Sequence, residues 1–176
     1  MNKVLVIQGI GFVAAALLIA SFQCKRSKRL FFFQMCSCML YILHFYLLGA
    51  ISGCGNQACG LIRVAVYSNH GKKWADWSGW PPIIVLINAG LALLTWQNFM
   101  SIFPFLGTAG TTIAGAKGNG KHVRLVNLCL CSPSWLIYDI YSHSIPGILC
   151  ETFIITSIII SVIRFGWKAL DGTGED

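Results

Sequence analysis

Two carboxylates and a histidine stand inside otherwise apolar sequence. Asp139 and Glu151 fall within WLIYDIYSHSIPGILCE, Trp135 to Glu151, and His44 falls within LYILHFYLL. An ionisable side chain in hydrocarbon costs roughly 2.5–3.5 kcal/mol or more unless it is paired or wet, so its default place is a bundle interior. His44 and Asp139 are therefore expected to line a central cavity and to meet there; the alternative is hydration by nearby headgroups. Imidazole is the side chain that changes charge near neutral pH, so His44 suits carrying or sensing a proton. Trp135, Tyr138 and Tyr141, at i, i+3 and i+6, flank Asp139. An acid among aromatics suits a polar or cationic small molecule, and the same stripe equally serves as packing or an interfacial belt.

Glu151 follows SIPG at the start of another apolar run. It reads as a gate or a partner for His44 or His143, or else as a first-turn carboxylate favoured by the helix dipole. The expectation is that Asp139 serves a cavity and Glu151 a helix end. Arg63 and Arg164 lie toward the ends of apolar runs, where they either snorkel to the interface or form a cytoplasmic gate. Asn56 and Gln57 add hydrogen-bonding groups near the start of a run.

Other chemistries find no residues. There is no GxxxxGK[ST] phosphate loop, no HExxH and no GxSxG elbow, so no enzymatic activity and no cofactor is expected. Cys36 and Cys38, like Cys129 and Cys131, are spaced i, i+2 inside apolar runs and point to different helix faces. No metal is expected there.

The elements that must hold these residues follow from composition. Of 176 residues, 56% are hydrophobic and 11% charged, against about 25% charged in an ordinary soluble domain. That marks an integral membrane protein. The net charge of +7 does not point to nucleic acid, because the basic residues lie between apolar runs. A helix needs about 20 mostly apolar residues to cross the hydrocarbon core. Runs at 4–22, 30–51, 82–98, 100–117, 124–142 and 147–167 qualify, and 54–70, which contains Arg63, is a weaker seventh. The first run is followed by KRSKR, the reverse of a signal peptide's charge order, so it reads as a retained span.

Charge decides between six spans and seven. With seven, Lys25, Arg26, Lys28, Arg29, Lys72, Lys73, Lys117, Lys121, Arg124, Arg164 and Lys168 share one side, and Arg63 lies nearer that side. Of the 13 basic residues only Lys3 falls opposite. The positive-inside rule makes the basic side cytoplasmic and the N-terminus external. Trp74, Trp77 and Trp80 fit an interfacial belt before the fourth span, with Pro81 and Pro82 at its entry. Gly9, Gly11, Gly107 and Gly110 permit close helix approach.

RLFFFQMCSCMLYILHFY from Arg29 pairs with RLVNLCLCSPSWLIYDIY from Arg124. Leu30 meets Leu125, Cys36 meets Cys131, Ile42 meets Ile137, and Tyr46 meets Tyr141. His44 then pairs with Asp139 at equal depth, although Pro133, expected to kink its helix, pairs with Cys38. Spans 1–3 thus resemble spans 5–7, with span 4 as a linker that keeps the two halves parallel. The expected divisions are residues 1–70, repeat one; 71–98, aromatic loop and linker helix; 99–168, repeat two; and 169–176, a polar tail.

LHFYLLGAISG, FPFLGTAGTTIA and SWLIYDIYSHSIPGILCETF with VIRF resemble the YgjV-type bacterial inner-membrane proteins, over nearly the whole chain. That family's layout is similar to the SWEET and PnuC-like transporters, with three, one and three helices. The chain lacks a Pro-Gln pair of the PQ-loop type. The resemblance implies a solute site between the triple-helix halves, involving His44, Trp135 and Asp139. The combined expectation is an all-α membrane protein of seven transmembrane helices in two parallel triple-helix repeats. Its expected work is transport or facilitation of a small polar solute, in contact with membrane lipid and with homo-oligomers open; the alternative is a non-transporting assembly or sensor protein. The expected pathway residues are His44, Asn56, Trp135, Tyr138, Asp139 and Glu151, with Arg63 and Arg164 at the cytoplasmic end.

Overall fold

A computed structural model of the chain describes residues 3–22, 24, 27–116 and 120–169. Lys25, Arg26, Lys117 and the polar tail beyond 169 lie outside these. Eight α-helices are described: α1 Lys3–Phe22, α2 Ser27–Leu48, α3 Ile51–Tyr67, α4 Trp80–Leu94, α5 Ile102–Ala116, α6 Gly120–Val126, α7 Ser132–Tyr141 and α8 Ile145–Ala169. A π-helical turn, Asn127–Cys131, joins α6 to α7 without a break, so these three segments form one rod. Among the described residues the rods number seven, and the 54–70 run is helical despite its hydropathy. Four spans, α1, α2, α5 together with the 3₁₀ turn Phe99–Ser101 that leads into it, and α8, are long and apolar enough to cross a bilayer on those grounds alone. The 17-residue α3 and 15-residue α4 are shorter.

Pro133 explains the π turn. It has no N–H to give the carbonyl four residues back, and its ring would strike that carbonyl in a regular helix. Upstream, Ser132 N–H bonds Asn127 O, five residues back, and the extra residue absorbs the conflict. Pro81 and Pro82 occupy the first helical positions of α4, where a missing N–H is harmless.

Hydrogen bonds and shared pockets sort the helix ends onto two faces. On one, Gln97 Nε2 donates to Gly49 O at 2.9 Å, Ser52 Oγ lies 2.7 Å from Ser101 Oγ, and Asn98 Nδ2 donates to the Tyr141 hydroxyl at 2.6 Å. The N-terminal part of α1 joins this face through Gln8, whose Nε2 donates to His143 O at 2.8 Å. On the other, Lys28 of α2, Tyr67 at the end of α3, Trp77 before α4, Trp80 at its start and Ala116 of α5 line one cleft. Trp80 Nε1 donates to Trp74 O at 2.6 Å, fixing the tryptophan cluster. These faces are called the N-terminal face and the basic face below.

Six rods close a ring. α1 packs on α2, α2 on α3, α3 on α5, α5 on the π turn and α7, α7 on α8, and α8 back on α1; α4 lies outside, bridging α3 and α5. The ring is polar inside and apolar outside. Gln8, Ser37, His44, Asn56, Thr108, Thr112, Ser132 and Asp139 are buried, whereas Leu5, Phe32, Leu86, Leu93, Leu94 and Ile163 are exposed. This inverts the soluble pattern and matches a bilayer, where lipid covers apolar side chains and polar ones turn inward.

Candidate functional site

His44 is built into the N-terminal face by α1 and α8. Its Nδ1 donates to Ile7 O at 2.8 Å, since a carbonyl can only accept. Its Nε2 meets the Ser144 hydroxyl at 2.9 Å. Ser144 also caps α8, its Oγ accepting from Gly147 N–H at 3.2 Å. A Cβ on Gly11 would strike the His44 ring and Pro146, so only glycine lets α1 approach this closely. Asp139 approaches from the other side. Its carboxyl faces Ser144 and packs against Gly147, where any Cβ would overlap it. His44 and Asp139 therefore share one serine, and both are essentially sealed, at 0% and 2% exposure.

An aromatic layer lies next, toward the basic face. Phe45 stacks on Tyr41 at 5.9 Å and on Trp135 at 6.0 Å, and contacts Tyr138 at 6.0 Å. Each such pair contributes about 0.5–1.5 kcal/mol beyond its buried area. Tyr138 ties this layer to α3, its hydroxyl accepting from Gly53 N–H at 2.8 Å.

Below the aromatics is a cavity of about 250 Å³. Its lining comes from all six ring rods: Leu18 of α1; Gln34, Ser37, Cys38 and Tyr41 of α2; Asn56, Gln57, Gly60, Arg63 and Val64 of α3; Thr108 and Thr111 of α5; Asn127, Cys131, Ser132 and Trp135 of the π turn and α7; Glu151 and Ile154 of α8. α4 contributes nothing. Polar and charged side chains alternate with apolar ones around this wall. Arg63 donates from Nη1 to Thr111 Oγ1 at 2.5 Å, so it is held inward by α5. Glu151 has the Ser132 hydroxyl beside it. Asn56 is fully buried; its Nδ2 donates to Ser52 O at 2.8 Å, while its Oδ1 has no protein partner. Four amide side chains, hydroxyls from three elements, one guanidinium and one carboxyl can thus bind a polar molecule by direct hydrogen bonds.

The placement of the two acids reverses the expectation. α8 begins at Ile145, so its first turn carries no acid; Glu151 falls in the second turn and lines the cavity. Asp139 is not part of that lining; it belongs to the cap of α8. His44 and Tyr138 are likewise outside the cavity wall, in the layers that close it. Of the expected pathway residues, Asn56, Trp135 and Glu151 come together around the cavity, with Arg63. Arg164 is exposed near the end of α8 and does not line it. Missed were Gln34, Asn127, Thr108, Thr111 and Ser132. Their signal was present: amides and hydroxyls inside apolar runs face the interior by default. Among the described residues no three of His, Cys, Asp and Glu gather as a metal site.

Comparison with known proteins agrees with a membrane protein. Residues 5–169 match the Imp-YgjV family, bacterial inner membrane proteins. The inner membrane protein YgjV of Escherichia coli (strain K12) is 25% identical over 162 residues, which span 92% of this chain and 84% of that relative. No solved structure matches. With nearly its whole length inside the match, the chain belongs to the Imp-YgjV family of bacterial inner membrane proteins.

Proposed function

We propose that the protein carries a small polar solute across the inner membrane, as a transporter or facilitator and not as an enzyme. The observation that supports this most is the polar cavity walled by all six ring rods. Open space in a bundle forfeits packing contacts, a cost that a ligand-binding role explains and a purely structural one does not.

The neighbour relations support two parallel halves, α1–α3 and α5–α8, with α4 as linker. Exchanging α1 with α5, α2 with the α6–α7 rod, and α3 with α8 leaves the ring order unchanged. The solute site then lies at the interface of the repeats, where parallel-repeat transporters hold theirs. The layers at the N-terminal face close the site on that side, and rocking of the halves would open them. The clustering of basic residues makes the basic face cytoplasmic, with the N-terminus outside.

Gly60 offers the test. A Cβ there meets nothing nearer than Gln57 Oε1 at 3.8 Å and Cys38 Sγ at 4.0 Å, so Gly60→Leu fills the cavity without a backbone clash. Proteoliposomes carrying wild type should take up some members of a panel of small polar solutes faster than empty vesicles. Gly60→Leu should abolish that uptake while its melting temperature stays within a few degrees. Uptake no faster than in empty vesicles across the panel favours the assembly or sensor role instead.

A further inference from the structure

The cavity holds one guanidinium and one carboxyl that do not neutralise each other. Arg63 on α3 and Glu151 on α8 both line it, yet among the described residues the ion pair found is His70 with Asp76, out in the α3–α4 loop. α3 and α8 stand opposite each other in the ring, so the two groups face one small space from different sides. Arg63 has five N–H donors in a fixed fork; one is used on Thr111, and the fork geometry matches a carboxylate. Among the described residues Glu151 has a serine beside it and no cation within ion-pair distance. Opposite charges buried near each other normally pair, because each alone is costly. Keeping them apart across a cavity leaves room for a molecule that pairs with both.

The rest of the wall fits such a molecule. Asn56 Oδ1, buried and without a protein partner, is an acceptor for an N–H. Tyr41 and Trp135 line the aromatic end, and aromatic rings attract an ammonium. At about 250 Å³ the cavity is below the ~300–1,000 Å³ of sites for drug-sized ligands. It equals roughly eight waters at ~30 Å³ each.

Building on the proposed solute pathway, we infer that the solute is a small zwitterion of the amino-acid class, its carboxylate on Arg63 and its ammonium toward Glu151. The probes are glycine, β-alanine, γ-aminobutyrate and 5-aminovalerate, which lengthen the charge separation stepwise. The matching alkanoates and alkylamines carry one charge each, and glycerol carries none. Thermal stability of the purified full-length protein in detergent reads binding; proteoliposome uptake of the same probes reads transport. One zwitterion length should raise the melting temperature with a half-saturating concentration about tenfold or more below either single-charge analogue, a difference of one ~1.4 kcal/mol step. Arg63→Gln should reduce that zwitterion to the level of the amine, and Glu151→Gln to the level of the carboxylate. The wild-type ligand series stands as a test even if a variant fails to fold.

An alkanoate or amine binding as well as the best zwitterion overturns the inference, as does no response to any zwitterion. Uptake of glycerol with no zwitterion preference overturns it too and leaves the transport reading intact. Zwitterion binding without uptake supports the site and overturns the transport reading.

Discussion

The Asp139 carboxyl is held against the Gly147 backbone, and a Cβ on Gly147 would overlap all three carboxyl atoms. Gly147→Ala should therefore cost about 1–3 kcal/mol by overpacking. Asp139→Ala should cost about 1–3 kcal/mol through the space it leaves against Gly147, as core truncations do. Together the two changes should cost clearly less than their sum, because the new methyl enters the vacated space; contacting residues couple by about 0.5–3 kcal/mol. Chemical denaturation in detergent micelles checks this, and strict additivity would remove Asp139 from the α8 cap. Glu151→Ala should cost less than Asp139→Ala, because its side chain borders open space and removing it leaves fewer packed neighbours without a partner. The sequence made both acids conspicuous and gave His44 and Asp139 equal depth, and the structure joins these two through Ser144. Which acid faces the cavity was not legible. Both acids face the interior, as polar groups in apolar runs do; which of them borders open space depends on how side chains from other rods pack around it, and no local pattern encodes that.

At the scale of elements, hydropathy and charge were unequal guides. α1, α2, α5 and α8 were legible from length and apolarity. α3 was legible only through charge, since Arg63, Asn56 and Gln57 depress its hydropathy for the same reason that they line the cavity. The π turn was half legible. Pro133 announced an irregularity in that rod, but nothing local distinguishes a kink from an inserted residue. The loop between α3 and α4 has its own small lock. Gly71, at a φ of 94° that suits glycine, gives its N–H to both Asp76 oxygens at 3.1 and 3.0 Å, and His70 Nδ1 pairs with the same carboxylate at 2.5 Å. These groups are exposed, so Asp76→Ala should change global stability by less than about 1 kcal/mol. Local opening is another matter, because loops open independently of the core. Trypsin should cut after Lys72 or Lys73 several-fold faster in the variant, and only from the basic face. Unchanged cleavage would mean that the tryptophan cluster, not Asp76, holds the loop.

The whole molecule is a ring whose closure near the N-terminal face depends on α8 meeting α1. The ties there are few and specific: Gln8 to His143 O, His44 to Ile7 O, and His44 to Ser144. Side-chain hydrogen bonds within membranes contribute on average about 0.6 kcal/mol each, so a handful of them sets a seam that can part. If the halves rock, this seam and the Phe45 aromatic layer must separate for the cavity to open toward the N-terminal face. Cys38 lines the cavity below that seam and is a native reporter of access. A membrane-impermeant thiol reagent applied from the N-terminal face should label Cys38 slowly in the wild type, read by mass spectrometry. Ser144→Ala removes both the helix cap and the His44 partner, a loss of about 0.5–2 kcal/mol for a cap alone. Because ~1.4 kcal/mol shifts a two-state ratio tenfold, labelling of Cys38 from that face should rise several-fold, up to about tenfold. A zwitterion that fills the cavity should suppress the labelling in both proteins. Labelling from the N-terminal face that is already fast in the wild type, or indifferent to Ser144, would mean that the seam is not the barrier and that the ring opens elsewhere.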